Sequence, residues 1–430
     1  MSVGIQRLRD DASTVHKGAL DKGENAALVD AALEVDALRR ELLGELDALR
    51  AERKQLSARV GAALKAGGGT DVAALRGQSI ELGRRIDAGE QRLRTVEAEL
   101  EDVLLRIPNP ADPDVPVGPP EATVTVRSWG EPVNPTTGGW QRLPHWAIGA
   151  RLGMLDLPAG AKVAGTGFPL YRAAGARLQR SLIDLFLRIH TTEHGMAEIY
   201  PPALVNADSA RGTGQIPDKE EQMYVVGRDE LYLNPTAEVA VTNIHRDEII
   251  DAARLPIRYV AYSPSFRREA GAAGRATRGI LRVHQFDKVE MVAFTAPEES
   301  AATLEWLVGC AETVLQRLGL AYRVRLLSTG DMGFTQAKTY DLEVWAPGVG
   351  EWLEVSSVSN FRDFQARRMN IRYRPAPGSK PEILHTLNGS GLALPRTVAA
   401  LLEVYQQPDG SVSLPEVLRP AMGRDSISAG

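Results

Sequence analysis

The chain has 430 residues, a formal net charge of −5, 43% hydrophobic and 24% charged residues, the composition of an ordinary globular protein. Its length allows two or three domains and a core that needs no covalent staples. A single cysteine excludes an intrachain disulfide framework and a cysteine-built metal site, and the mild acidity argues against non-specific coating of nucleic acid while leaving room for a local basic surface.

The first residues, MSVGIQRLRDDASTVHKGAL, lack an apolar core of signal-peptide length, and no apolar run approaches the ~18 residues of a membrane span. With the lone cysteine, these points give the expectation of a reducing, cytoplasmic location without membrane attachment. Residues 27–107 read as two long helices. Val35, Leu42, Leu49 and Leu56 recur every seven residues. Leu82, Ile86, Leu93, Val96, Leu100, Val103 and Ile107 keep a second heptad seam, with Gly89 in a missing position. Between them KAGGGTD (65–71) stops one helix, and Thr70 or Asp71 is expected to cap the next. The simplest outcome is an antiparallel helical hairpin. Its outer faces carry Arg39, Arg40, Arg50, Arg53, Lys54, Arg59, Lys65, Arg76, Arg84, Arg85, Arg92 and Arg94 among acidic residues. That pattern suits a solvated coiled-coil surface or a rigid arm that meets a phosphate backbone.

The proline-rich connector RIPNPADPDVPVGPPEA (106–122) is stiff and extended. It divides the chain into an arm, 1–108, and a core, 109–430. The core reads as mixed α and β: a helix over 175–195, a strand over 196–205 broken by Pro201 and Pro202, and a short strand from 230 that turns at Asn234–Pro235. Strands follow over 257–269, 281–294 and 351–361, with helices over 298–319 and 390–406. Cys310, within an apolar helical stretch, reads as a buried, inert thiol. This is an α+β domain, an antiparallel sheet with helices on a face, not a regular βαβ alternation.

The loop between the strands at 257–269 and 281–294 is cationic. Arg267 and Glu269 share a parity at its start; Arg282, His284, Phe286, Lys288 and Glu290 share one on the expected return strand. Forked arginines bind phosphate oxygens and stay charged. A ring such as Phe286 stacks on a nucleobase, and a carboxylate such as Glu269 accepts from an exocyclic amine. The same residues also read as a salt-bridged hairpin with Phe286 in a core, the ordinary outcome for an isolated stretch. No GxxxxGK[ST] or GxGxxG signature occurs, so a nucleotide here would be held by arginines across a sheet.

FRREAGAAGRATRGILRVHQFDKVE closely resembles the second class II motif of seryl-tRNA synthetases, LNGSGLALPRTVAALLEVYQ their third, and HGMAEIYPPALV their first, dimer-forming motif. GTGQIP, NPTAEV, TYDLEVW, EWLEVSSVSNFRDFQARRMNIRY and SLPEVLRPAMG resemble further segments of the bacterial type, in the family's order. The resemblance spans almost the whole chain, the hairpin included. It implies a class II catalytic core that joins serine to ATP as seryl-adenylate and then passes the seryl group to tRNA.

Residue by residue, the resemblance implies Arg267 on the α-phosphate and the serine carboxylate, Glu269 on the adenine amine and Phe286 beneath adenine. Arg282 and Arg396 fall on the outer phosphates, with Arg267 and Arg396 the catalytic pair. Arg268, Val283, Val355 and Ser356 complete the ATP site, and Glu354 and Ser357 contact ATP and Mg2+. Thr236, Ala237, Glu238, Arg267, Glu290, Asn388 and Ser390 form the serine pocket. No zinc is expected: the seven histidines are scattered without ligand spacing, and the zinc-dependent archaeal branch is not what the motifs resemble. The implied partners are L-serine, tRNA(Ser) on the arm, tRNA(Sec) where the host has one, and a second copy in an isologous homodimer through 194–202. Arg275 and Arg278 are candidates for the tRNA acceptor end.

Three positions depart from the family. Val358 stands where bacterial members often have cysteine, beside the site. Leu394–Pro395 precedes Arg396 where a small pair is common. Arg268 replaces a frequent serine, with a parity that faces away from Arg267. His190 and His284 read as structural. Two other readings remain: a synthetase-like paralogue that activates serine or an analogue for a carrier protein or an antibiotic pathway, and a non-catalytic scaffold that uses the coiled coil.

Overall fold

The computed structural model describes residues 3–65, 67, 69–270 and 278–429, without the side chains of 69–71. The capping side chains expected at Thr70 and Asp71, and all of Arg275 in the cationic loop, therefore lie outside what is described. The chain divides into two compact units, Met1–Pro108 and Asn109–Gly430.

The first unit contains helices α1 (Ile5–Asp21), α2 (Ala27–Lys65) and α3 (Gly69–Leu105). Leu46 and Leu56 of α2 are buried against Leu82 and Ile86 of α3, with Leu49, Leu75 and Leu93 packed around them. Gly89 has a packing reason. A Cβ there would lie 2.8 Å from Leu46 Cδ2, so the glycine makes room for a leucine in the seam. Asp36 is fully buried on α2. It accepts from Arg9 Nε and Nη2 at 2.8 and 2.7 Å and lies 3.3 Å from Arg39 Nε and Arg40 Nε. The Arg9 guanidinium holds the Asp36 carboxyl below its usual range, against the effect of burial. Arg39 and Arg40 thus serve an internal ion-pair network, and Arg50 donates to Glu90 at 2.9 Å. Arg53, Lys54, Arg59, Arg76, Arg85 and Arg92 are exposed on the arm.

The second unit is built on one eight-stranded sheet. Its strands are β1 (Val124–Trp129), β2 (Ala197–Ile199), β3 (Ile257–Phe266), β4 (Gln285–Thr295), β5 (Tyr322–Leu326), β6 (Lys338–Ala346), β7 (Glu351–Arg362) and β8 (His385–Ala393). They lie in the order β1-β5-β6-β7-β8-β4-β3-β2. Every neighbouring pair is antiparallel except β2 with β3.

Helices α4 (Ala173–Thr192), α5 (Ala237–Thr242), α6 (Ser300–Arg317) and α7 (Leu394–Val404) belong to the same unit. Strand β4 shows how the sheet divides its two faces. Val289, Met291 and Ala293 enter the main core with apolar residues of α4, α6 and α7. Val292 and Phe294, on the opposite parity, join a smaller cluster with Ala237 and Val241 of α5. The same parity carries Phe286, Lys288 and Glu290 into a cleft. Cys310 is buried on α6, and burial pushes its thiol up to about 12. Among the described residues no helix is long and apolar enough to cross a membrane.

The return strand is shorter than its alternation suggests. It begins at Gln285, so Arg282 and His284 lie in the irregular stretch before it. Strand β3 ends at Phe266, and Glu269 follows with φ of 50°. Strand parity therefore governs Phe286, Lys288 and Glu290 but not the pairs Arg267–Glu269 and Arg282–His284.

Candidate active site

A cleft of about 950 Å3 opens over β4, β7 and β8. Sheet register sets most of its floor. Glu290 of β4 lies between Ser390 of β8 and Ala261 of β3, and Asn388 lies beside Ser359 of β7. A bulge then changes the parity of β7: Asp341 pairs with Ser357, but Glu343 pairs with Glu354. The extra residue brings Glu354 onto the face of Ser357, where plain alternation over three residues would separate them.

The arginines gather at one end. Arg267 stacks over the Phe286 ring, 5.2 Å from its centroid, and its Nε donates to Pro235 O at 3.4 Å. Arg282 Nη1 donates to Glu269 Oε2 at 3.0 Å. Arg396 Nη1 donates to Glu354 O at 2.9 Å and to its Oε2 at 3.2 Å, and Arg396 Nε donates to Leu281 O at 3.2 Å. Val283 and Val355 line the same cleft. Pro395 sits in the first turn of α7, where its missing N–H leaves no helical bond unmade.

A buried polar pocket forms the other end. Glu290 is almost fully removed from water. Lys288 Nζ lies 2.7 Å from its Oε2, and Ser390 Oγ donates to the same oxygen at 3.5 Å. Burial raises the Glu290 carboxyl above its ordinary range, and the Lys288 charge acts in the opposite direction. Glu238 Oε1 accepts from Gln365 Nε2 at 2.7 Å, and Gln365 Oε1 accepts from Thr386 Oγ1 at 2.8 Å. Thr236 caps α5 by accepting from Glu238 N at 3.3 Å. Asn388 Nδ2 is buried and has no acceptor among the described residues.

Three of the expected site residues do not line the cleft. Arg268 is exposed, and its Nη1 donates to Glu221 O at 3.2 Å. Ala237 is buried in the smaller apolar cluster. Ser356 Oγ donates to Ser390 O at 2.6 Å, joining the two strands beneath the pocket. Val358 packs in the main core against Gly389, behind the cleft floor. His284 also turns away: its Nδ1 lies 2.8 Å from Tyr224 Oη and its ring stacks on Phe168. His190 is buried, with Nε2 2.7 Å from Gly391 O and Nδ1 3.0 Å from His194 Nδ1. Arg278 stacks over Trp146, 5.5 Å from its centroid.

Other residues in or beside the cleft carry no sequence assignment. Lys288 shares the Glu290 parity, the signal that marks it for the cleft, although the motif resemblance assigns it no role. Gln365 reaches Glu238 from a short helix, Phe364–Arg368, and nothing local marks it. Asp341 faces Ser357 across the β6–β7 pair, and its Oδ1 is buried without a hydrogen-bond partner among the described residues. Burial first, then the charge of Glu354, push its carboxyl well above the usual range.

Comparison with known proteins places this architecture. Residues 3–111 match the seryl-tRNA synthetase N-terminal domain, and residues 224–405 match the tRNA synthetase class II core domain (G, H, P, S and T). The serine–tRNA ligase of Gemmatimonas aurantiaca is 51% identical over 98% of both chains, and that of Geobacillus kaustophilus is 50% identical over 98% of this chain and 99% of its own. Among solved structures, seryl-tRNA synthetase from Pyrococcus horikoshii complexed with ATP superposes with a TM-score of 0.92 at 35% identity, covering 100% of both chains. The cytoplasmic serine–tRNA ligase of Naegleria fowleri in complex with AMP gives 0.87 at 28% identity over 99% of each. The chain belongs to the seryl-tRNA synthetase family.

Proposed function

We propose that the chain is a serine–tRNA ligase, an ATP-dependent, AMP-forming enzyme whose substrates meet in the cleft. One observation carries this reading: the cleft holds a cationic end lined by Arg267, Arg282, Arg396 and Phe286, and a buried polar end built on Glu238, Glu290, Asn388 and Ser390. In the first step a serine carboxylate oxygen bonds to the α-phosphorus of ATP, and the bond to the bridging oxygen breaks to release pyrophosphate. In the second, the terminal ribose hydroxyl of tRNA bonds to the seryl carbonyl carbon and AMP leaves. Neither step needs a covalent enzyme intermediate. Positioning and neutralisation of phosphate charge supply the rate.

Arg267, at the cationic end but with a charge that is felt by Glu290, is assigned to the α-phosphate and the serine carboxylate. Arg282 and Arg396 take the outer phosphates, and Glu269 takes the adenine amine. Arg282 and Glu269 pair with each other at 3.0 Å, so ATP would exchange that ion pair for a phosphate contact and an amine contact. Phe286 supplies the stacking surface for adenine. Glu290 would accept from the serine ammonium and hydroxyl, with Glu238, Ser390 and Asn388 completing the pocket and Thr236 shaping it. Alanine is rejected because it leaves buried polar groups unpaired, and threonine for want of room.

The oxygen donors fit a hard cation. Glu354, Ser357 and the unpartnered Asp341 Oδ1 converge through the β6–β7 register, and Mg2+ is bound through one or two carboxylates plus substrate phosphates. Glu354 and Ser357 would hold it; when bound, Mg2+ neutralises phosphate oxygens.

The exposed arginines of α2 and α3 are assigned to the tRNA backbone, that of tRNA(Ser) and, where the host has one, of tRNA(Sec). Residues 1–108 then form the tRNA-binding arm and 109–430 the catalytic core, of a cytoplasmic homodimer. The paralogue reading is not favoured, because the seryl-tRNA synthetase N-terminal domain is present over residues 3–111. Serine-dependent exchange of pyrophosphate into ATP tests the first step. Deletion of residues 30–105 is expected to abolish charging of tRNA while exchange survives; charging that survives the deletion would refute the role of the arm.

A further inference from the structure

His145 and Glu403 form a buried pair outside the cleft, and both side chains are fully removed from water. Glu403 belongs to α7, two helical turns beyond Arg396. Its Oε1 accepts from His145 N and from His145 Nδ1, each at 2.8 Å. Its Oε2 accepts from Gly348 N at 2.8 Å and Val349 N at 3.0 Å. Four donors offset the desolvation of a carboxylate that would otherwise be costly to bury. The opposite edge of the imidazole faces the far base of the cationic loop: His145 Nε2 accepts from Ile280 N at 3.2 Å.

The partners fix the tautomer. A carboxylate accepts and an amide N–H donates, so the proton sits on Nδ1 and the lone pair on Nε2. Gly279 must allow this approach. It has φ of +73°, and a Cβ there would lie 2.2 Å from His145 Nε2. The next residues close a circuit. Ile280 binds His145 through its amide, Leu281 binds Arg396 Nε through its carbonyl, and Arg282 enters the cleft. Helix α7 connects Arg396 back to Glu403.

We propose that His145 and Glu403 are positioning residues for the nucleotide end of the cleft. They form a strut that sets Ile280–Arg282 against α7 and so fixes the spacing of Arg282 and Arg396. The proposal rests on the reading of those arginines as phosphate ligands. The buried pocket of Glu238 and Glu290 hangs on other contacts, so the strut acts on ATP and not on serine.

Two variants separate the two edges of the ring. His145→Asn keeps a donor near Glu403 and loses the acceptor for Ile280; His145→Gln places an acceptor near Nε2. In serine-dependent ATP–pyrophosphate exchange on the full chain, His145→Asn is expected to raise KM for ATP about tenfold, the effect of one unpaired buried amide, with KM for serine within about twofold. His145→Gln is expected to recover part of the loss. Should His145→Asn not fold, Glu403→Gln takes its place with the same expectation for the two KM values. Unchanged kinetics, or equal rises in both KM values, would overturn the strut. Absence of exchange in the unaltered chain would instead overturn the reading of the cleft.

Discussion

Lys288 Nζ lies 2.7 Å from Glu290 Oε2, and both side chains are nearly removed from water. Burial raises the Glu290 carboxyl above its ordinary range, and the lysine opposes that rise at the point assigned to the ammonium of serine. Glu290→Gln is therefore expected to lower kcat/KM for serine by on the order of 100-fold, because a carboxylate acceptor is lost from a buried pocket and Lys288 loses its 2.7 Å partner. The change in KM for ATP should be small. Steady-state exchange kinetics with each substrate varied in turn will read both.

Gln365 acts on the pocket through Glu238. Gln365→Ala leaves a buried carboxylate without its 2.7 Å donor, and KM for serine is expected to rise about tenfold, with ATP binding unchanged. A parallel loss of ATP binding would mean that the residue merely supports the fold.

Arg396 presents its fork to Glu354 and to Leu281 O together. Arg396→Lys keeps the charge but not the fork. The exchange rate at saturating serine should fall by on the order of 10- to 100-fold. A lysine variant with wild-type kinetics would remove Arg396 from the phosphate site.

How much of this was legible in the residues differs from place to place. The hairpin and its seam follow from heptads, and Phe286, Lys288 and Glu290 share a face because β4 alternates. Glu354 and Ser357 could not be brought together by alternation, since a bulge in β7 sets their common face. Arg268, Ala237 and Ser356 are sequence neighbours of cleft residues, and adjacent positions on extended chain or at a helix start point in different directions. Gln365 reaches Glu238 from 127 positions along the chain and is itself held by Thr386, 21 positions further on, tertiary contacts without a local signature.

His190 gives a pH dependence. Burial lowers its pKa from 6.5 to about 4, against the pull of Gly391 O. The folded state thus favours the neutral ring. The stability this contributes is present above pH 6.5 and is lost as pH falls from there toward 4, up to ~3 kcal/mol in all. Urea unfolding of wild type and His190→Gln at pH 7 and pH 5 is expected to show a smaller loss of stability in the variant.

Cys310 should resist alkylation in the native protein, since burial pushes its thiol up to about 12 and only the thiolate reacts. Labelling by iodoacetamide is expected on unfolding and not before, with charging activity intact in the treated native enzyme.

The most direct test of the central claim is charging of tRNA by the purified chain with each amino acid in turn, ATP and Mg2+ present. Serine alone is expected to be esterified to tRNA(Ser), with AMP and pyrophosphate released in equal amounts and no charging when ATP is left out. Preferential activation of another amino acid, or serine activation that never reaches tRNA, would contradict it.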